Sequence, residues 1–172
     1  AVNLFDSVLK EADGIMIARG DLGVEMPSER VPLIQKKIIG RCNQAGKPVI
    51  TATQMLESMT YNLRATRAET SDVANAVLDG SDAVMLSGET AVGKHPLNAV
   101  ETMRRIIDGV ETEIGKGRSV LDRTPQESAT IQDAVTVAAA RAAELLNAAA
   151  IIAYTQSGST AVHLSMRRPK TR

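Results

Sequence analysis

Three apolar runs recur at a fixed interval and limit the fold more than any other feature. Gly14-Ile15-Met16-Ile17-Ala18, Pro48-Val49-Ile50-Thr51-Ala52 and Asp82-Ala83-Val84-Met85-Leu86 begin 34 residues apart. They are apolar on successive positions rather than alternating ones, the pattern expected of strands buried on both faces of a parallel sheet. Helical periodicity fills the intervals. From Ser28 to Ala45 the apolar positions are Val31, Ile34, Ile38, Ile39 and Cys42. Pro32 falls in the first turn, where a missing N–H is tolerated, and Gly46 follows the last. Thr66-Arg67-Ala68-Glu69 is a capping box that opens a second helix, which stops near Gly80. A third helix starts around Pro96, with Leu97, Val100, Met103, Ile107, Val110 and Ile114 on one stripe. Strand and helix in alternation predict an α/β fold of right-handed βαβ units. The spacing suits a (β/α)8 barrel or an open doubly wound sheet.

The pattern changes after Ile114. Residues 115–129 read as a polar linker, so a first domain is expected over 1–114 and a second over 130–172. The second opens with an Ala-rich helix from about Thr130 to Asn147, followed by a fourth strand, Ala150-Ile151-Ile152-Ala153-Tyr154. The loop Thr155-Gln156-Ser157-Gly158-Ser159-Thr160 then leads into Ala161-Val162-His163-Leu164.

Composition excludes several function classes. The 20 Lys and Arg balance the 20 Asp and Glu, so the excess of cations that a phosphate-tracking nucleic-acid binder or a polybasic membrane-surface protein needs is missing. Aromatics make up 2%, only Phe5, Tyr61 and Tyr154, too few for a base-stacking platform. One cysteine cannot form an intrachain disulfide, and Cys42 lies on a helix's apolar stripe, where a buried structural thiol is expected rather than a nucleophile. No apolar run reaches the roughly 18 residues of a membrane span. The expectation is a cytoplasmic chain without nucleic-acid or membrane partners.

Chemistry is expected just past the strands. Each run ends in polar residues: Arg19-Gly20-Asp21, Thr53-Gln54 and Ser87-Gly88-Glu89-Thr90. In α/β folds ligands gather at the carboxyl edge of the sheet, so three such tips converge on one site. Asp21 is a carboxylate fit either for a hard cation such as Mg2+ or for a simple turn, and pattern alone leaves both open. Thr53 and Ser87 offer hydroxyls to a carboxylate or a proton relay, although such hydroxyls also satisfy nearby backbone.

Gly88-Glu89-Thr90-Ala91-Val92-Gly93-Lys94-His95 nearly matches a phosphate-binding P-loop. His95 stands where a metal-holding Ser or Thr is required, and Glu89 would bring a carboxylate to the phosphates. A P-loop-like NTPase is therefore the lowest-ranked alternative. His95 and His163 lack zinc-ligand spacing. The Thr155–Thr160 loop, hydroxyl-rich and placed before a helix, suits a phosphate or an ordinary capped turn.

Long consecutive strings carry a resemblance. Asp13 through Glu25 (DGIMIARGDLGVE), Gly40 through Ile50, Ala52-Thr53-Gln54-Met55-Leu56-Glu57-Ser58-Met59, Thr66 through Gly80, and Met85-Leu86-Ser87-Gly88-Glu89-Thr90-Ala91 resemble pyruvate kinase, in family order. The resemblance implies strands six to eight of a catalytic (β/α)8 TIM barrel, then the beginning of a three-layer α/β C-terminal domain. It implies phosphoryl transfer from phosphoenolpyruvate to ADP in glycolysis, with Mg2+ or Mn2+ and K+, in a cytoplasmic homotetramer. Carried over by residue, Asp21 is implied as a metal ligand. Gly20, Asp21 and Thr53 are implied to hold the substrate carboxylate, and Thr53 and Ser87 to serve protonation of the enolpyruvate. Thr155, Gln156, Ser157, Gly158, Ser159 and Thr160 are implied to meet a phosphorylated small-molecule effector.

The family's second metal carboxylate, catalytic lysine and K+ ligands lie on elements absent from this sequence. A partial chain is therefore expected, without phosphoryl transfer on its own. A non-catalytic assembly or effector-binding module is the alternative reading.

Overall fold

A computed structural model describes residues 2–117 and 130–171. They divide into two compact units, the first comprising residues 1–42 and 47–114 and the second the remainder.

The first unit is built on β1 (Ile15–Ala18), β2 (Val49–Ala52) and β3 (Ala83–Met85), parallel and in the order β1-β2-β3. The ladder aligns Ala18 with Ala52 and Ala52 with Met85, so all three strands end level on one edge. Helix α1 (Phe5–Glu11) precedes β1, α2 (Arg19–Glu25) and α3 (Val31–Ala45) lie between β1 and β2, α4 (Arg67–Asp79) lies between β2 and β3, and α5 (Gly88–Ala91) and α6 (Pro96–Gly117) follow β3. The backbone of α6 is helical to Gly117, into the first residues of the expected 115–129 linker. The rest of that segment, from 118 to 129, lies outside the described residues.

Local chemistry fixes the ends of these elements. Both halves of the capping box on α4 form: Glu69 N–H donates to Thr66 Oγ1 at 3.2 Å, and Thr66 N–H donates to the Glu69 carboxylate at 2.7 Å. Gly80 closes the helix at φ 103°, in the left-handed region that a Cβ disfavours. The Lys47 ammonium donates to the carbonyls of Leu9, Lys10 and Ala12, covering the open end of α1.

The two faces of the sheet are buried to different extents. Ile17 and Val49 pack with Leu9, Ile38, Ile39 and Cys42 from α1 and α3, and each fully buried aliphatic side chain contributes about 1.5–3 kcal/mol. A second cluster gathers Met55, Leu56, Met59, Val73, Ala76, Ala99 and Met103. On the opposite face Met16, Ile50 and Ala83 lie side by side, and Met16 remains 55% exposed. Burial on this second face is thus only partial: Ala52, on the same face as Ile50, is fully buried, whereas Met16, Ile50 and Ala83 are exposed. Of the stripe expected on α6, Met103 is buried, but Leu97 and Val100 are exposed, and Ala99, outside that stripe, is buried.

The second unit contains α7 (Ile131–Leu145) and α8 (Ser159–Met166). Thr130 and Asp133 form another capping box on α7, and Val137 and Ala140 form its small core. The expected fourth strand does not form: residues 150–154 have no ladder partner among the described residues, and Ile152 and Tyr154 are fully in solvent. A strand exists only through the hydrogen bonds of a neighbour, whatever the propensity of its residues.

Candidate functional site

The level strand ends bring the three polar tips onto one edge, and two buried charges tie them together. Arg19, the first residue of α2, is almost fully buried. Its Nη2 donates to the carbonyl of Thr53 at 2.8 Å and to that of Gln54 at 3.0 Å, and its Nε donates to Thr53 O at 3.2 Å. Nη1 meets Asp72 Oδ2 of α4 at 2.5 Å. A planar guanidinium can serve this fork of acceptors, which a lysine ammonium cannot match.

Thr53 and Gln54 adopt φ 67° and φ 54°. Left-handed backbone is costly for a β-branched residue, and such strain persists only where the surroundings over-determine it. The clamp on the carbonyls of Thr53 and Gln54 does so here. It turns the Thr53 side chain so that Oγ1 accepts the Gly20 N–H at 2.9 Å and donates to Ala52 O at 2.7 Å.

Glu89 ties the β2 tip to the β3 tip. Its carboxylate is 1% exposed and accepts the N–H of Leu56 at 3.0 Å and of Ser87 at 2.8 Å. Ser87 itself is exposed, and its hydroxyl accepts the N–H of Gly88 at 2.7 Å. Asp21 lies exposed in the first turn of α2, and among the described residues no partner engages its carboxylate.

Comparison with known proteins gives this edge its context. Residues 1–100 match the model of the pyruvate kinase barrel domain, and residues 133–172 match that of the pyruvate kinase alpha/beta domain. The chain belongs to the pyruvate kinase family. It is 53% identical over 169 residues to a pyruvate kinase of Clostridium acetobutylicum, covering 98% of this chain and 36% of that protein. It is 54% identical over 172 residues to pyruvate kinase 2 of a Synechocystis strain, covering 99% of this chain and 28% of the relative. The solved structure of a pyruvate kinase from Cryptosporidium parvum superposes with a TM-score of 0.88 at 49% identity, over 99% of this chain and 35% of the other. The chain therefore spans about a third of the length of the pyruvate kinases it matches, and carries parts of both a barrel and an α/β domain.

Of the residues expected at a pyruvate kinase site, the structure brings Gly20 and Thr53 into direct contact, with Asp21 next in sequence. Ser87 joins them only indirectly, through Glu89 and Leu56. A cavity of about 410 Å3 between β3 and α6 is lined by Val84, Leu86, Met103 and Ile107 among others, but by none of Asp21, Thr53 or Ser87. The strand tips, not this groove, carry the polar convergence. Arg19 and Glu89 stood in the polar tips as residues without a role. Apart from the Ser87 amide beside Glu89, their partners lie 33 to 53 residues away, and no local pattern announces such pairings.

The phosphate-loop alternative fails on geometry. A P-loop presents free backbone amides to phosphate, whereas here Thr90 and Ala91 donate to Ser87 O, Val92 to Gly88 O and Lys94 to Thr60 O. A Cβ at Gly93 would lie 2.2 Å from Glu89 O, so its glycine serves packing. Lys94 holds its ammonium 5.7 Å from the centre of the Tyr61 ring.

For a divalent metal, Asp21 is a fitting but single donor. The described residues hold no group of three or more His, Cys, Asp or Glu that could form a closed metal site. One carboxylate completed by substrate oxygens suits Mg2+, which keeps few protein ligands. Cys42 is fully buried, and burial, helped by Asp82 and opposed by Lys47, pushes its thiol up to about 11. Such a thiol is inert at neutral pH.

In the second unit the Thr155–Thr160 loop has a sparse framework. Gly158 N–H donates to Thr155 Oγ1 at 3.0 Å, with Gly158 at φ 85°, and Gln132 Nε2 donates to Ser159 Oγ at 3.1 Å. Gln156, Ser157 and Ser159 are exposed and Thr160 is half-buried. His163 Nδ1 lies 3.4 Å from Asp133 Oδ1 and Arg167 pairs with the same oxygen, giving His163 a structural setting.

Proposed function

We propose that the intact protein is a pyruvate kinase that moves the phosphoryl group of phosphoenolpyruvate to ADP, giving pyruvate and ATP. The observation that carries this reading is the contact of Gly20 N–H with Thr53 Oγ1 at 2.9 Å, beside Asp21, at the carboxyl edge of the parallel sheet. The bond between the phosphoryl phosphorus and the enol oxygen breaks as a bond to the terminal phosphate oxygen of ADP forms. The enolpyruvate carbon then takes a proton.

This chain's residues serve the ends of that substrate. The amides of Gly20 and Asp21 and the Thr53 hydroxyl receive the carboxylate, which replaces the internal contact between Gly20 and Thr53. Fixed donors of this kind need no reorganisation when charge moves. The Thr53 hydroxyl stands near the carbon to be protonated, and the exposed Ser87 hydroxyl serves the proton relay. Asp21 would hold Mg2+ or Mn2+, whose charge offsets that of the transferring phosphoryl group. Dependence on K+, a cytoplasmic setting, a homotetramer and a phosphorylated effector at Thr155–Thr160 belong to the same reading.

The test is a Mg2+-dependent assay of the full-length protein carrying Asp21→Ala. Loss of about a hundredfold or more in turnover is expected on removal of such an electrostatic group. Near-normal Mg2+-dependent turnover would sink the assignment.

A further inference from the structure

We infer that Arg19 is a positioning residue for substrate-carboxylate recognition, acting through Thr53 and braced by Asp72. The inference rests on the reading of Thr53 as a carboxylate-binding group. Its starting point is the conformation of the β2 tip. Two consecutive non-glycine residues, Thr53 and Gln54, sit at positive φ, a state that isolated L-residues rarely adopt. Something must hold it.

The only side chain in the described residues that donates to the carbonyls of both is Arg19, through Nε and Nη2. The remaining nitrogen, Nη1, is held by Asp72 on α4, which fixes the guanidinium's rotation as well as its place. Nη2 also lies 2.9 Å from Met55 Sδ, so its surroundings on the β2 side are filled. One residue along the chain from Arg19, the Gly20 amide meets the Thr53 hydroxyl. The same short stretch therefore supplies a carboxylate donor, Gly20, and the clamp that aims the second, Thr53. Loss of the clamp lets the carbonyls of Thr53 and Gln54 turn outward to water and the Thr53 backbone relax toward negative φ. Its hydroxyl then leaves the seat.

The experiment uses the full-length protein with Arg19→Lys, Asp72→Asn, Thr53→Ala and the double variants with Thr53→Ala. In Arg19→Lys the KM for phosphoenolpyruvate is expected to rise about tenfold or more while that for ADP stays within about twofold, since misplacing one donor spares the remote nucleotide contacts. Asp72→Asn, at a half-exposed position, keeps an acceptor without the charge and gives a smaller change of the same kind, so the inference stays testable if Arg19→Lys folds poorly. In the Thr53→Ala background both substitutions add little further, because residues that act through one group are not additive. A merely structural role gives the opposite result: fewer active molecules, an unchanged KM for phosphoenolpyruvate, and effects that multiply with Thr53→Ala. That outcome overturns the inference about Arg19. If Thr53→Ala itself leaves the KM for phosphoenolpyruvate unchanged, the reading of Thr53 fails first, and the inference falls with it.

Discussion

The Thr53 tip and the Thr155–Thr160 loop look alike in sequence, each a hydroxyl-bearing stretch after an apolar run, yet they fold to different degrees of order. The first is locked. Arg19 holds its carbonyls, Glu89 holds the following Leu56 amide, and a β-branched residue is kept at φ 67°. The second rests on a few hydrogen bonds to its hydroxyls, with Gln156, Ser157 and Ser159 exposed. The difference lies in the neighbours. The β2 tip has parallel strands on both sides to supply braces, whereas the segment before Thr155 has no ladder partner among the described residues. Hydroxyls after an apolar run become a preorganised site only where adjacent elements bring buried charges to them.

Four measurements on the full-length protein test that contrast. The largest effect is expected from Thr53→Ala, which removes one preorganised donor and lowers kcat/KM for phosphoenolpyruvate by about a hundredfold. A loss of less than about threefold in steady-state assays would mean that the braced tip is no more committed than the open loop. Next comes Glu89→Gln. The amide can accept only one of the two N–H groups that the carboxylate serves, leaving the other buried and unpaired at a cost of about 1–3 kcal/mol. A urea unfolding midpoint equal to that of the parent would show that Glu89 does not hold the β2 and β3 tips together.

In the second unit the strongest electrostatic feature is the Asp133 cap on α7. The backbone and hydroxyl hydrogen bonds of Thr130, opposed by burial and aided by Arg167 and His163, hold its carboxyl down from the ordinary 3.8 to about 2. The unfolded chain binds the proton first, so the stabilisation is complete above about pH 4 and is lost as pH falls towards 2. Circular dichroism between pH 5 and 2 is expected to show Asp133→Asn losing less stability on acidification than the parent; parallel curves would refute the cap's contribution. The smallest effect is expected at Thr155→Ala. Deleting an ordinary loop hydroxyl changes stability by less than about 0.5 kcal/mol and leaves activity without effector untouched. A destabilisation as large as that of Glu89→Gln would erase the distinction between the two loops.

Much of the fold is legible in the sequence. The 34-residue interval gave the parallel βα units, Thr66 and Glu69 marked the start of α4, and Gly80 marked its end, because each signal acts within a few residues. Gly20, Asp21 and Thr53 were recognised through family strings, and the first and last of these do touch. What stayed hidden depends on distant partners. Nothing local in Ala52-Thr53-Gln54 signals a left-handed turn, since no glycine is there to mark it. The pairing of Arg19 with Asp72 spans 53 residues, and the exposure of Met16 depends on which layers lie over the sheet. Residues 150–154 misled for the same reason: their composition is that of a strand, but composition supplies no hydrogen-bonding neighbour.

The two acidic members of the capping boxes also say something about the order in which contacts form. Glu69 closes a loop of three residues to Thr66 and one of eleven to Ser58, and Asp133 closes one of three to Thr130. Short closures lose little chain entropy and form early. The Arg19 clamp spans 34 to 53 residues and needs both β1 and β2 already in register. The strained Thr53 tip therefore belongs to the end of folding, so its geometry is acquired only by chains whose sheet is already correctly paired.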